Sequence, residues 1–497
     1  MLSIDAIYQA LRAAGTQGDG RFYAITDGNQ IEQQLDTPQL WGHNPAVFDY
    51  VPAAVNLTTA IEDLIATATA TVDISVLYPF PSGRFFTAIR NGLLRSKVPE
   101  LRMRITAGFY FPIQPLLDPV VAIDDFIRSL GLPVERRISV HVAAMQTWAT
   151  SWNHAKLLIV DGQRVISGGH NYWSDDYTQF APVSDVSFRF SGPAARVGES
   201  FINNVWNRMW TDPNAPREET PPLFWSRVGF QGSIGPSPRV VFDNTAPPVG
   251  ATRMLAVGRA GIQLEPLFPL APSDNASLLA RMLAVQMADG HVRLSQQMLG
   301  GSPLGEYDLQ FFPVLRDHIL AGKELSLIIS DTGATTQTRD SYSGDGIEAT
   351  ARHFAQAVRD ARPGIPRNEL IDLLAKNLHI GPTRVYDRQP DDPAAQSWLW
   401  RNNTGEALEP ANHAKVMIID ELGFYFGSDN AYAMPFNPFG MQEFGFIVEG
   451  QAETQAFLQN YWDKAWSYSS QFQVTDWARI VDETSDHPAL PQRLHPT

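Results

Sequence analysis

The sequence predicts an α/β fold made of two homologous halves, each an α/β/α sandwich, related by a pseudo-twofold axis with one active site at their interface. Three observations predict it. One motif occurs twice, as His154-Ala155-Lys156 running to Asp161 and as His413-Ala414-Lys415 running to Asp420. Six residues later each copy continues with a second element, Gly168-Gly169-His170-Asn171 and Gly427-Ser428-Asp429-Asn430. Strand-like and helix-like stretches alternate around both copies, which is the pattern of layered α/β domains.

Taken in chain order, residues 72–78 read as a strand and 85–94 as a helix, and 291–299 with 311–320 answer them in the second half. Each motif is a short aliphatic and β-branched run, hence a buried strand. Downstream of each lies an apolar strand carrying one carboxylate, Asp185 in the first half and Glu443 in the second. A helix-like stretch follows each, with tryptophans at i, i+4: Trp206 with Trp210, and Trp462 with Trp466. Aromatics at that spacing form a core-facing stripe. The Gly/Pro-rich stretch 228–252 is the best boundary, separating a first half, 1–227, from a second, 253–497. The polar tail 486–497 reads as frayed.

With 497 residues the chain is too long for one ordinary core. A formal net charge of -15 disfavours a nucleic-acid partner, because phosphate contacts demand a basic surplus. The absence of cysteine excludes disulfides, thiolate metal sites and a cysteine nucleophile. No metal and no cofactor are expected, since the histidines and carboxylates show no ligand cluster of recognised spacing. No apolar run approaches the ~20 residues needed to span a bilayer. Met1-Leu2-Ser3-Ile4-Asp5 shows no basic start and no long apolar segment, so no signal peptide is expected. Export without a cleavable signal, or a cytoplasmic location, is the corresponding expectation.

Side chains alternate along a strand, so His154 and Lys156 share a face, as do His413 and Lys415. Asp161 and Asp420 fall on the opposite face at the strand end, where bonding turn backbone is the expected role. Gly168, Gly169, Gly427 and Ser428 permit close backbone approach, and Asn171 and Asn430 follow as neutral donors. Two lysines and two asparagines suit a phosphoryl-transfer transition state, whose charge spreads over non-bridging oxygens. One histidine attacks phosphorus to form a phosphohistidine, and the other protonates the leaving oxygen and then deprotonates the incoming water or alcohol. Asp185 and Glu443 are candidates to orient the imidazoles.

At these residues the chain resembles the phospholipase D superfamily, and in particular the secreted Streptomyces-type bacterial enzymes. The stretches carrying the resemblance are Val72-Asp73-Ile74-Ser75 with Pro79-Phe80-Pro81, Ser151-Trp152-Asn153-His154 through Tyr177, Pro182 to Asp185, and Gln442 to Glu449. It spans roughly residues 50–470. It implies hydrolysis of phosphatidylcholine-like lipids to phosphatidic acid at a membrane or micelle surface, with exchange of the head group for alcohol acceptors. It further implies His154 as nucleophile, His413 as acid and base, and Trp173, Tyr177 and Tyr342 as aromatics around a cationic head group. Glu443 departs from the usual Asp of that family. One chain carries both half-sites, so a monomer is expected. The competing readings are a nuclease, a phosphatidylserine or cardiolipin synthase-like phosphatidyltransferase, and a lipid-binding module without catalysis. Intact His and Lys in both copies speak against the last.

Overall fold

The structure, a computed structural model, describes residues 1–16, 18–20, 22–39, 41–42, 51–108, 119–133, 135–146, 153–178, 182–209, 223–229, 246–259, 275–301, 306–332, 334, 342–387, 400–401, 407–408, 410–433 and 441–485. Trp210, Trp152, most of the 228–252 boundary and the 486–497 tail lie outside them.

In chain order the strands are β1 (Tyr23–Thr37), β2 (Thr71–Leu77), β3 (Glu100–Gly108), β4 (Arg137–Gln146), β5 (Leu157–Val160), β6 (Arg164–Gly168), β7 (Asp185–Ser191), β8 (Leu223–Gly229), β9 (Thr252–Arg259), β10 (His291–Gln296), β11 (Glu306–Tyr307), β12 (Glu324–Ile329), β13 (Leu378–Pro382), β14 (Trp400–Arg401), β15 (Ala407–Leu408), β16 (Lys415–Ile419), β17 (Gly423–Gly427), β18 (Tyr432–Ala433) and β19 (Glu443–Glu449). Fifteen of them form one sheet in the order β13-β12-β10-β16-β17-β19-β9-β1-β7-β6-β5-β2-β3-β4-β8. The strand β1 is the seam, pairing its first part with β9 and its second part with β7.

Read outward from that seam, both sides repeat one plan. The β1-β7-β6-β5-β2-β3-β4 side is matched by β9-β19-β17-β16-β10-β12-β13, and β8 extends the first side. Pairing sense matches as well: β2, β3 and β4 run parallel, as do β10, β12 and β13. Parallel neighbours need a crossover, usually a helix. The helices Gly83–Arg95 and Pro119–Leu130 supply it in the first half, and Phe311–Leu320, Gly346–Ala361 and Arg367–Asn377 in the second. The α/β class expected from the alternating pattern is the class observed.

Both motif strands bury both faces, in the same way. Leu158 and Val160 of β5 join one outer core, and Met417 and Ile419 of β16 join the other. Their alternates, Leu157, Ile159, Val416 and Ile418, enter a third core shared by the two halves. Aromatic rings fill it: Phe188 lies 4.6 Å from Phe426 and Phe190 lies 4.8 Å from Phe446, centroid to centroid. This core presses the halves together behind the motifs. Trp206, Trp462 and the partly buried Trp466 belong to it, as the tryptophan spacing suggests, and Trp462 stacks on Trp466 at 5.7 Å. The first helix, Ile4–Ala13, buries Ile4, Ile7 and Leu11 against the core of the second half rather than the first. Among the described residues no helix is long and apolar enough to cross a membrane.

Candidate active site

The residue before each motif histidine fixes where the chain enters the site. Asn153 donates its side-chain amide to Ser75 Oγ at 2.8 Å and to the Val76 carbonyl at 3.2 Å. Asn412 donates to Ser295 Oγ at 3.0 Å and to the Ile328 carbonyl at 3.3 Å. The backbone then crosses to the other half. His154 N donates to the Gln442 carbonyl at 2.8 Å, and His413 N to the Ser184 carbonyl at 2.7 Å.

That crossing sets the imidazole partners, which sequence spacing left open. His154 Nδ1 lies 2.8 Å from Glu443 Oε1, and His413 Nδ1 lies 2.8 Å from Asp185 Oδ2. Each carboxylate therefore holds the histidine of the other motif. A carboxylate only accepts, so Nδ1 carries the proton and Nε2 keeps its lone pair. Each lysine folds back on its own motif: Lys156 Nζ donates to the His154 carbonyl at 2.8 Å, and Lys415 Nζ to the His413 carbonyl at 2.7 Å. Asn171 and Asn430 are buried, and the Oδ1 of each has no hydrogen-bond partner. Polar capacity is thus still open at the site, where buried groups are ordinarily satisfied.

Gly169 is required by contact rather than by turn geometry: a Cβ there would come within 1.9 Å of Asp185 Oδ1. The second motif has Ser428 in the same place, and its hydroxyl donates to Glu443 Oε2 at 2.5 Å. Gly168 is equally tight, against the Val186 carbonyl, and Gly427 against Gly445.

Asp161 accepts from the backbone N–H groups of Thr69, Ala70 and Thr71, each at 2.8 Å, and from the Thr69 hydroxyl. Asp420 accepts from Asp289, Gly290 and His291 N–H, each at 2.9 Å. Both aspartates sit in the left-handed region, with φ of 52° and 51°. They tie the motif hairpin to the strand beside it and make no hydrogen bond to the imidazoles.

Burial governs the charges. Desolvation holds both imidazoles neutral, well below their usual pKa, with Lys156 and Lys415 adding to the effect. The same burial lowers Lys156 to about 7 and Lys415 to about 8, against the pull of the two carboxylates. It raises Asp185 and Glu443 to about 7, against the pull of the lysines and of the hydroxyls that donate to them. Two ammonium groups facing two carboxylates leave the site near neutrality.

The three aromatics expected around a head group are all buried, and they differ. Trp173 donates its indole N–H to the Pro79 carbonyl at 2.7 Å. Tyr342 presents its ring edge-on to His413 at 5.3 Å and donates to Asp176 Oδ2 at 2.7 Å. Tyr177 is engaged at both its ring and its hydroxyl. Its ring packs against Phe85 and His170, and its hydroxyl donates to Asp185 Oδ2 at 2.8 Å and lies 3.2 Å from His413 Nδ1. The hydroxyl also accepts from Asn171 N at 3.2 Å. The sequence did carry a signal for Asn153 and Asn412, since Asn-His-Ala-Lys occurs in both copies. Nothing in the spacing marked Tyr177 or Ser428 as partners of the carboxylates. Among the described residues no group of three or more histidines and carboxylates is arranged to hold a metal ion.

No family model matches the chain. It is 30% identical to a phospholipase D of Streptomyces antibioticus over 527 aligned positions, covering 95% of this chain and 88% of that protein. In fold it is similar to the phosphatidylserine synthase of Haemophilus influenzae Rd KW20, with a TM-score of 0.55 at 11% identity over 96% of this chain and 92% of that one.

Proposed function

The chain belongs to the phospholipase D superfamily, and from that premise we propose that it hydrolyses phosphatidylcholine-like glycerophospholipids to phosphatidic acid and transfers the phosphatidyl group to alcohols. One observation carries the reading: the two imidazole–carboxylate pairs cross between the halves, so both motifs converge on a single site with two buried lysines and two buried asparagines.

His154, held neutral with Nδ1–H on Glu443, attacks phosphorus through Nε2. The P–O bond to the head group breaks as the P–N bond forms. His413, protonated once the phosphodiester anion is bound, gives its Nε2 proton to the departing oxygen. Water or an alcohol then gives a proton back to His413 and attacks phosphorus. The P–N bond breaks and His154 is neutral again. Lys156, Lys415, Asn171 and Asn430 stabilise the charge on the non-bridging oxygens throughout. Asp161 and Asp420 act on the hairpins alone. Trp173 and Tyr342 border the head group, and Tyr177 steadies the Asp185–His413 pair.

The test is a product analysis on soluble short-chain phosphatidylcholine with a few percent ethanol present. Phosphatidylethanol should appear beside phosphatidic acid, with configuration at phosphorus retained because two inversions cancel. Net inversion, or no alcohol product while hydrolysis continues, excludes the covalent intermediate. A phosphodiester dye and single-stranded DNA run in parallel distinguish a nuclease, and serine or phosphatidylglycerol as acceptor distinguishes a synthase.

A further inference from the structure

The second motif is tied to a helical turn of unusual pitch. After β19 the chain runs through a regular helix, Gln451–Phe457, then a single π-helical turn, Leu458–Trp462, and resumes as the regular helix Asp463–Ser469. Such turns are rare and recur at functional sites. Tyr461 lies in this one, buried, with its ring stacked on Phe457 at 5.4 Å and met edge-on by the partly buried Trp41 at 6.2 Å. The ring is thereby fixed, and its hydroxyl lies 2.8 Å from Ser295 Oγ on β10. Ser295 is buried and accepts from Asn412 Nδ2 at 3.0 Å. Asn412 is the residue before His413.

The first half shows what this contact adds. Ser75 occupies the matching place on β2, opposite Leu157 as Ser295 is opposite Val416. It exchanges hydrogen bonds with Asn153, donating to Oδ1 at 3.2 Å and accepting from Nδ2 at 2.8 Å. There the residue before the core tryptophan is Val205, which has no polar side-chain atom. In the second half Asn412 Oδ1 accepts from the Ala414 N–H at 2.9 Å instead, and the serine hydroxyl turns to Tyr461. The backbone at this point is held on both sides, with Asn412 N donating to Ser330 Oγ at 2.8 Å and His413 N to the Ser184 carbonyl at 2.7 Å. Buried hydrogen bonds linked in this way polarise one another and act as a unit.

Resting on the function above, we propose that Tyr461 is a positioning residue for the reaction: its hydroxyl, aimed by the π-helical turn, fixes Ser295, Ser295 holds the Asn412 amide, and Asn412 sets the backbone from which His413 meets Asp185.

NMR of the histidine-labelled full chain tests this without any substrate. The His413 Nδ1 proton shared with Asp185 should give a downfield resonance, assigned by its loss in His413→Ala. In Tyr461→Phe, which keeps the stacked ring, that resonance should shift while the one from His154 stays in place. Ser295→Ala should reproduce the shift, and it carries the test by itself if the tyrosine variant fails to fold. The double variant should go no further than either single one, because both break the same chain. In turnover, Tyr461→Phe should lower kcat roughly 2- to 10-fold, the weight of one neutral hydrogen bond, with KM unchanged. A His413 resonance that neither variant moves, additive effects in the double variant, or a raised KM at wild-type kcat each overturns the proposal. An earlier melt with an unmoved resonance does so too, and makes Tyr461 a packing residue. A wild-type protein without phospholipase activity would overturn the proposed function instead, and the resonances would still decide whether Tyr461 positions His413.

Discussion

Tyr177→Phe separates two roles for one ring. The substitution removes a single oxygen and keeps the ring packed against Phe85 and His170. If the ring served a cationic head group, phenylalanine would keep most of the attraction, since both present a π face. The structure instead puts the hydroxyl 2.8 Å from Asp185 Oδ2 and 3.2 Å from His413 Nδ1. A hydrogen bond to a charged group contributes about 1.5–3 kcal/mol. Felt fully in the transition state, that is a loss of roughly 10- to 150-fold in kcat, at 1.36 kcal/mol per decade. KM should change little. The pH profile gives a second reading. The Tyr177 bond is one of the effects that offset the burial of Asp185, now near 7. Without it the carboxylate protonates at higher pH, so the acid limb of kcat/KM moves up. Initial rates of choline release from a soluble short-chain lipid across pH measure both. Wild-type kcat with an unmoved acid limb would refute the reasoning, and a rise in KM alone would return Tyr177 to the head-group pocket.

Other outcomes follow from the same geometry. His154→Ala and His413→Ala should each lower kcat by several orders of magnitude, and only His413→Ala should still trap a phospho-enzyme on rapid quench. Above pH 7 to 8 activity should decline as Lys156 and Lys415 lose their protons, a limb read directly from kcat/KM. Stability has the opposite shape. Raised Asp185 and Glu443 bind extra protons in the fold, so their contribution to stability falls as pH rises from about 4 to 7, opposed below about 6.5 by the neutral His154 and His413, and the lowered lysines' contribution rises from about 7 to 10. Lys156→Met with Glu443→Gln should therefore raise the melting temperature most near pH 7 while abolishing turnover, and a uniform shift across pH would contradict that cause. Asp420→Ala should destabilise by about 2–3 kcal/mol, because three backbone N–H groups lose an ionised acceptor. Denaturant melts check it, and the pH profile of the remaining activity should be unmoved.

The fold was legible because its period is written in residue types. Aliphatic runs on both motif strands announce burial on two faces, and Leu157 with Val416 and Leu158 with Met417 take matching cores. Gly168-Gly169 announced a close approach, and the structure names the atom approached. What spacing cannot encode is which half a strand end meets. The helix Ile4–Ala13 opens the first half in sequence and packs in the second, because its apolar stripe is satisfied by any apolar core it reaches.

The crossed carboxylates have the same origin. From the sequence, Asp185 lies nearer His154 along the chain, and Glu443 nearer His413. The fold reverses this because the shared aromatic core brings β7 beside the second motif and β19 beside the first. A His held by its own half would work in an isolated half. A His held by the other half is oriented only when both are docked, as the Ser184–Asn412 and Asn153–Gln442 bridges hold them. On the proposed mechanism, catalysis and docking are then one event. Gly169→Ala tests the coupling at its tightest point, since the added methyl meets both Asp185 Oδ1 and the His413 carbonyl. The contact must give by more than 1 Å at a carboxylate that aims the other half's histidine. Activity should fall by orders of magnitude while the helical circular dichroism stays native. A Gly169→Ala enzyme with wild-type kcat would mean that the Asp185–His413 pair is not what orients the imidazole.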